Sequence, residues 1–220
     1  MTLAQLPKPV AVLYDWDGFK VDSLRRVHDV HLDVLREFGM PEIDFATTIE
    51  MTAHGPHASR IILGLEDDEA DRFMNRFKEI YFKFSPDFQL MPGAVEFFAS
   101  HPPSLPIGVV SNKDGAMLRA EIAHLGWANR ISAVVGVGEA PRNKPAPDAP
   151  LFALQHMGVA PSKNVWFGGD TAGDIACAQA AGLTAILVTE HEYTGPVPDF
   201  RFQNLHQLRA AAMPVFESCR

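Results

Sequence analysis

Two aspartates directly after an apolar run are the first residues of the chain that could carry out chemistry. Asp15 and Asp17 follow residues 10–14, a Val-Ala-Val-Leu-Tyr run that predicts a buried strand, and Gly18 comes next. Alternate side chains of a regular strand point the same way, so both carboxylates would share one side. Carboxylates that close together need a cation, a shared proton or a division of roles. For the pair alone, a solvated loop with two acids is the alternative interpretation.

Further polar residues stand at the ends of other predicted strands or in the loops that follow them. They are Ser111, Asn112, Lys144, Asp170 and Asp174. Because the carboxyl ends of parallel strands meet in one crevice, we expect these groups to converge with the first two aspartates. Carboxylates suit a hard cation, whereas hydroxyl, amide and ammonium groups suit phosphoryl oxygens. The set is that of phosphoryl transfer, which needs an oxygen nucleophile, charge neutralisation and a proton for the leaving oxygen.

The elements that must position these groups change in type along the chain. From residue 92 onward short apolar runs alternate with helical patterns, which predicts an α/β fold with a doubly wound parallel sheet covered on both faces. The predicted strands are 10–14, 107–110, 133–137, 164–167, 185–188 and a weak one at 200–202. The predicted helices are 93–100, 114–125, 148–157, 173–181 and 204–212.

Residues 22–85 contain helical patterns and no strand signal. The predicted helices lie at 24–38, 44–53, 57–65 and 68–84, and the last carries a phenylalanine-rich face that we interpret as core. This pattern predicts an all-helical cap at 21–87, inserted into a Rossmann-like core formed by 1–20 and 88–220. A cap in this position would act as a lid over the strand ends.

Composition and net charge limit the kinds of molecule that this protein is expected to bind. The chain has 220 residues, a formal net charge of -8 and 47% hydrophobic residues, which is typical of an ordinary globular protein. The negative charge argues against nucleic acid or an anionic membrane as partner. With two cysteines, no secretory signal pattern and no apolar run of membrane-spanning length, we expect a cytoplasmic protein. Either a monomer or a homodimer is compatible with the sequence.

The motifs together resemble the haloacid dehalogenase (HAD) superfamily, in its phosphatase branch with a helical cap after the first strand. The resemblance rests on Asp15-Trp16-Asp17-Gly18 with Val21-Asp22-Ser23, on Val109-Val110-Ser111-Asn112-Lys113, on Lys144-Pro145-Ala146-Pro147-Asp148, and on Gly169-Asp170-Thr171 with Asp174. Each motif alone is weak, but the four occur in the expected order and on the expected elements. The serine, asparagine, lysine and cap arrangement is similar to that of phosphoglycolate phosphatases.

The resemblance implies a role for each motif residue. Asp15 would attack phosphorus and form an aspartyl-phosphate, while Asp17 would protonate the leaving oxygen and then activate water. Mg²⁺ would be held by Asp15, Asp170 and the backbone carbonyl of Asp17, and Asp174 would act on the metal shell through a water. Ser111 and Asn112 would donate to phosphoryl oxygens, and Lys144 would neutralise Asp15 and the phosphate. The implied substrate is a small phosphorylated metabolite, of the phosphoglycolate or sugar-phosphate type.

Several cap residues are candidates for substrate recognition. His54 and Gly55 lie in the cap loop that relatives use for substrate choice, and Arg60, one turn on, is a possible second contact for an anion. An ordinary turn between helices is the alternative for this loop. We expect one of His28 and His31 to face the protein core and the other to face solvent.

One position departs from the family pattern. After the DxDG motif the family usually has threonine and an apolar residue, whereas this chain has Phe19-Lys20. The change falls in the turn that opens and closes the cap. We expect Lys20 to be a solvated loop cation, with contact to the substrate as the alternative.

Two other functions remain open at this point. A phosphomutase of the β-phosphoglucomutase type would carry a cap histidine at a position that here is Val27, which disfavours it. A non-catalytic metabolite-binding relative is disfavoured because the charged motif residues survive together. A dehalogenase would have no use for the second acid, Asp17.

Overall fold

The computed structural model describes residues 5–54, 56–83 and 89–218. For residues 53–59 it does not describe the side chains. Within these ranges the strands are β1 (Ala11–Tyr14), β2 (Val21–Asp22), β3 (Gln89–Leu90), β4 (Ile107–Asp114), β5 (Ala133–Val137), β6 (Val165–Gly169), β7 (Thr184–Val188) and β8 (Phe200–Phe202). The helices are α1 (Leu24–Glu37), α2 (Phe45–His54), α3 (Pro56–Leu63), α4 (Asp67–Lys83), α5 (Ala94–Ser100), α6 (Gly115–His124), α7 (Asp148–Met157), α8 (Ala172–Ala180) and α9 (Leu205–Glu217). A short 3-10 helix covers Ala128–Arg130.

Six strands form one parallel sheet in the order β5-β4-β1-β6-β7-β8. Strand β1 lies in the middle, where Val12 pairs with Ile107 of β4 on one side and with Trp166 of β6 on the other. Strand order therefore changes direction at β1, and in such sheets the crevice beyond the carboxyl ends is where ligands bind. The predicted α/β fold with a doubly wound parallel sheet is confirmed.

Both faces of the sheet are covered, because consecutive side chains of β1 point to opposite sides. Val12 and Tyr14 pack in the cluster that includes α5 and α9. Ala11 and Leu13 pack in the cluster that includes α7 and α8. All four side chains are buried. Their packing fixes the position of β1, and therefore the position of Asp15, which directly follows this strand.

The inserted block between β2 and β3 contains helices α1 to α4, as the sequence predicts. Val34 and Leu35 of α1 pack against Phe73 and Phe77 of α4. Strands β2 and β3 pair antiparallel and join this block, hereafter the cap, to the sheet domain. The domain limits at 20/21 and 87/88 stay a prediction.

Two elements run further than the sequence suggests. Strand β4 continues to Asp114, with a shift in pairing register between Val110 and Asp114. Helix α9 continues through Pro214 to Glu217, because Val215 and Phe216 are buried in the core. In the ranges described, no helix combines the length and apolarity needed to cross a membrane.

The expectation for Lys20 is wrong. Backbone hydrogen bonds from Lys20 to Trp16 and from Met91 to Lys20 hold this turn so that the side chain points inward. Its exposure is 2%, and its Nζ lies 4.3 Å from the ring centre of Tyr14 and 4.2 Å from that of Phe97. The amine is therefore neither solvated nor in contact with the substrate crevice.

Phe19 is buried beside it and stacks on Tyr14, with 5.2 Å between ring centres. A Cβ on Gly168 would lie 2.7 Å from Phe19 Cζ, so the phenyl ring occupies space that only glycine leaves open. The two residues that break the family pattern thus join the core beneath the turn.

Candidate active site

Three carboxyl groups meet where β1 and β6 end. Asp15 directly follows β1, Asp170 directly follows β6, and Asp174 lies in the first turn of α8. One oxygen of each lies within 4.8 Å of the others. The parallel pairing of β1 with β6 brings these residues together although about 155 positions separate them in sequence.

Lys144 supplies the positive charge in this cluster. Its Nζ lies 2.6 Å from Asp15 Oδ1 and 2.6 Å from Asp174 Oδ1. Burial alone would lower the pKa of Lys144, but Asp15 and Asp174 outweigh burial and raise that pKa above its usual value. The ammonium is therefore a permanent charge beside Asp15.

The acids are more numerous than this one cation can balance. Burial, followed by the charge of Asp174, raises the pKa of Asp15 from 3.8 to about 7. Burial, Asp174 and Asp15 also raise the pKa of Asp170 well above its usual value. Both shifts report that the cluster holds negative charge at a cost in free energy.

A divalent cation fits this donor set. All three groups offer hard oxygen ligands, and Asp170 Oδ1 is buried without a hydrogen-bond partner among the described residues. Mg²⁺ would be held by Asp15, Asp170 and Asp174. The participation of the Asp17 carbonyl stays a prediction.

Gly18 keeps the approach to Asp170 open. It has a φ of +76°, and a Cβ at this position would collide with Asp170 Oδ2 and lie 2.8 Å from Asp170 Cγ. Both the backbone conformation and the lack of space require glycine here. Gly18 of the first motif thus leaves the space that the Asp170 carboxylate of the fourth motif occupies.

Asp17 lies apart from the three clustered acids, in a separate set of hydrogen bonds. Its Oδ1 accepts from the Lys113 ammonium at 2.7 Å and from the Ser23 hydroxyl, and its Oδ2 accepts from the Ser111 hydroxyl at 3.5 Å. Ser23 precedes the first cap helix, so the second acid is tied directly to the start of the cap.

The sequence assigns no individual role to Lys113, which ends the second motif, and the sequence reasoning missed Glu121 altogether. Lys113 Nζ lies 2.8 Å from Glu121 Oε1. Glu121 also accepts from Trp16 Nε1 at 2.5 Å and from the Tyr81 hydroxyl of α4 at 2.7 Å. A signal was present, because Glu121 is a charged residue on the otherwise apolar buried face of α6, and buried charges need partners. This network links Asp17 to the cap.

The three clustered acids, Asp17 and the two lysines line one cavity of about 650 Å³ between cap and sheet domain. The cavity contains the predicted residues Asp15, Asp17, Ser111, Asn112, Lys144, Asp170 and Asp174. Asn112 Nδ2 donates to the Lys144 carbonyl at 3.1 Å, which joins the second and third motifs. The structure therefore brings candidate residues from all four motifs into one cavity.

The cap candidates give a different result. Arg60 pairs with Asp67 and donates to the Leu65 carbonyl at 3.4 Å, and it does not line the cavity. His54 is the last residue of α2 and its side chain is not described, and Gly55 lies outside the described residues. Substrate contact by these three residues stays a prediction. Of the two helix α1 histidines, His31 is buried and His28 is half-buried against Thr48, at 2.8 Å.

Fold and site together define an α/β enzyme with a helical cap. Its carboxylates can bind a cation, and its lysine can bind an anion beside that cation. Comparison with known proteins gives the family. Residues 12–188 match the haloacid dehalogenase-like hydrolases. The chain belongs to this family and is an enzyme of the hydrolase class, so the resemblance predicted from the four motifs is confirmed.

Individual relatives agree with this placement. A phosphoglycolate phosphatase of Rhodospirillum rubrum is 31% identical over 196 residues, covering 82% of this chain and 80% of that protein. A candidate phosphoglycolate phosphatase of Lactobacillus plantarum superposes with a TM-score of 0.79 at 24% identity, over 93% of this chain and 99% of that one. A β-phosphoglucomutase of Clostridium difficile superposes with a TM-score of 0.77 at 16% identity, over 96% and 98% of the two chains. The two superpositions show the fold alone.

Proposed function

We propose that this protein is a Mg²⁺-dependent phosphatase that hydrolyses a small phosphorylated metabolite through an aspartyl-phosphate. The observation that carries the proposal is the position of Lys144 between Asp15 and Asp174, at 2.6 Å from each, beside Asp170. A lysine so placed neutralises both a carboxylate nucleophile and the incoming phosphoryl group. The names of the relatives suggest an ester of the phosphoglycolate type, with a sugar phosphate as the other candidate.

The reaction proceeds in two steps. Asp15 attacks phosphorus, and the bond to the leaving oxygen breaks as that oxygen takes a proton from Asp17. Asp17 then removes a proton from water, which attacks the aspartyl-phosphate and releases inorganic phosphate. Ser111 and Asn112 donate hydrogen bonds to the phosphoryl oxygens, and Lys144 stabilises their charge. Bound Mg²⁺ would add further charge neutralisation at the same oxygens.

Phosphate release from p-nitrophenyl phosphate tests the proposal, measured with Mg²⁺ and after its removal by a chelator. Asp15→Asn removes the nucleophilic carboxylate with little change in volume, and we expect activity to fall by about a thousandfold or more. Asp68→Asn is the matched control, because Asp68 is an exposed acid at the start of α4 and the same chemical change there should leave activity unaltered. Full activity in Asp15→Asn, or no release from a broad panel of esters, would refute the proposal.

The phosphomutase is the second candidate function. Val27, at the position of the mutase histidine, is an apolar, buried part of the cavity wall and offers no group for proton transfer. We therefore favour hydrolysis, and the ratio of free phosphate to isomerised sugar phosphate separates the two reactions. A non-catalytic metabolite-binding protein would bind esters without turnover at any Mg²⁺ concentration. The cytoplasmic location and the choice between monomer and homodimer stay predictions from the sequence.

A further inference from the structure

The cavity has two chemically different ends. The sheet-domain end holds the carboxylates and lysines, whereas the cap end is a wall of apolar side chains. That wall, hereafter the cap wall, consists of Leu24, Val27, Ile49, Met51, Met74 and Phe77. Since the phosphoryl group occupies the charged end, the organic part of the ester lies against the cap wall. The cavity volume of about 650 Å³ falls within the range of about 300–1,000 Å³ that holds whole small molecules.

The hydroxyl groups of the described cap residues that line the cavity donate hydrogen bonds within the protein. The Thr52 hydroxyl donates to the carbonyls of Thr48 and Ile49 in its own helix, at 3.0 and 2.9 Å. The Ser23 hydroxyl donates to Asp17. These hydroxyl hydrogens are therefore not free to donate to a carboxylate on the leaving group.

The cations that could pair with a second negative charge on the substrate already form ion pairs with carboxylates of the protein. Lys113 and Lys144 are the lysines among the described residues that line the cavity, and none of those residues is an arginine. Lys113 is held by Asp17 and Glu121, at 2.7 and 2.8 Å. Lys144 is held by Asp15 and belongs to the phosphoryl end. A carboxylate on the leaving group would thus meet no free counter-charge among the described residues that line the cavity, which is unfavourable.

His31 strengthens this conclusion. Its Nδ1 lies 2.8 Å from the Val27 carbonyl and donates to it, and burial lowers the pKa of His31 from 6.5 to about 4. At neutral pH the ring is therefore uncharged, and Nε2 carries a lone pair. Nε2 has no hydrogen-bond partner among the described residues, and the residue lines the cavity. A lone pair repels a carboxylate and accepts from a neutral donor.

We propose that the cap wall selects phosphate monoesters whose leaving group is uncharged and mainly apolar, in preference to esters of small hydroxy acids such as phosphoglycolate. This inference rests on the proposed phosphatase function, and it replaces the phosphoglycolate-type ester that the names of the relatives suggest by a different substrate class. The cap wall discriminates between esters because the free energy of moving the organic part from water to an apolar surface is more favourable for an apolar group than for a charged one.

Three esters that all leave as primary alkoxides test the inference: hexyl phosphate, 2-phenylethyl phosphate and phosphoglycolate. Because the reacting groups are alike, kcat/KM for phosphate release reports recognition of the organic part. We expect the two apolar esters to exceed phosphoglycolate by about tenfold or more. A preference for phosphoglycolate would overturn the inference while leaving the phosphatase function intact.

A variant pair locates the selectivity. Ile49 lines the cavity and is 44% exposed, so Ile49→Lys adds a cation to the cap wall without burying it fully. The preference for apolar esters should fall by about tenfold or more. Ile61→Lys makes the same change on α3 at a residue that is 67% exposed and outside the cavity, and it should leave the preference unaltered. An unchanged preference in Ile49→Lys would also overturn the inference.

The two failures are distinguishable. If neither these three esters nor a broad panel that includes p-nitrophenyl phosphate releases phosphate, the phosphatase function is refuted. The ligand class is then decided by calorimetric binding of the same three esters to the intact protein. Tighter binding of the apolar esters, weakened by Ile49→Lys but not by Ile61→Lys, would uphold the cap wall as the selective surface, and the opposite order would refute it.

Discussion

Replacing Lys20 by methionine is expected to stabilise the protein, which is an unusual result for a fully buried position. The Lys20 amine has no hydrogen-bond partner among the described residues, and aromatic rings surround it. An amine buried without a partner costs about 1–3 kcal/mol. The rings of Tyr14 and Phe97 return about 0.5–2 kcal/mol when the amine is charged. Methionine fills a similar volume without that penalty.

The expected gain for Lys20→Met at pH 7 is about 1–2 kcal/mol, or about 2–8 °C in Tm for a chain of this length. It should also depend on pH. Burial lowers the pKa of Lys20 well below 10.5, so the native state binds fewer protons than the unfolded state. Wild-type stability from this group therefore rises with pH from the lowered native pKa up to about 10.5. The advantage of the variant should shrink across that window.

Thermal and urea unfolding of both proteins at pH 7 and pH 10 measure this difference. Lys83→Met, at the exposed end of α4, controls for the general effect of replacing a lysine and should change Tm by less than about 2 °C. A destabilised Lys20→Met, or an advantage that does not decline at pH 10, would show that the Lys20 amine has a favourable partner and that the reasoning is wrong.

Three further changes probe the site. Glu121→Gln removes one of the two carboxylates on the Lys113 ammonium and leaves Asp17 as the other. The free energy of unfolding measured in urea should fall by about 1.5–3 kcal/mol, and a loss below about 1 kcal/mol would contradict this view. Gly18→Ala places a Cβ against Asp170 and should lower kcat at least about tenfold. Gly39 also has a positive φ, but a Cβ there meets no atom within 4 Å, so Gly39→Ala should retain kcat, and equal losses in the two variants would refute a specific effect. Saturating Mg²⁺ at about 100 times its Kd should stabilise the wild type by about 2.7 kcal/mol in calorimetry, and an equal gain in Asp170→Asn would exclude this cluster as the metal site.

Much of the chemistry is readable from the sequence because it depends on local patterns. The run before Asp15 predicts a buried strand, and the alternation after residue 92 predicts a parallel sheet. In such a sheet the strand ends must converge, so Asp15, Lys144 and Asp170 can be assigned to one site from their positions along the chain alone. The four motifs then identify the family, since each stands on the element that its chemistry requires.

Other features depend on side-chain directions and on contacts between distant parts of the chain, and here the tertiary structure decides. Lys20 turns inward because backbone hydrogen bonds to Trp16 and Met91 fix its turn, which a hydrophilic residue type does not indicate. Glu121 meets Trp16 across 105 positions of sequence. The local pattern of α6 indicates that this acid needs a partner, but it does not indicate which residues Glu121 contacts.

Asp15 and Asp17 show the same difference between what the sequence determines and what the tertiary structure determines. Sequence places Asp15 and Asp17 two residues apart at the end of a strand and assigns them to phosphoryl transfer. Tertiary structure separates their surroundings, giving Lys144 to Asp15 and Lys113 to Asp17. It also sets an apolar wall opposite them, because the helices of the cap bury one face against each other and turn another toward the cavity. Spacing along a chain determines which groups can react, but only packing between elements determines what each group touches.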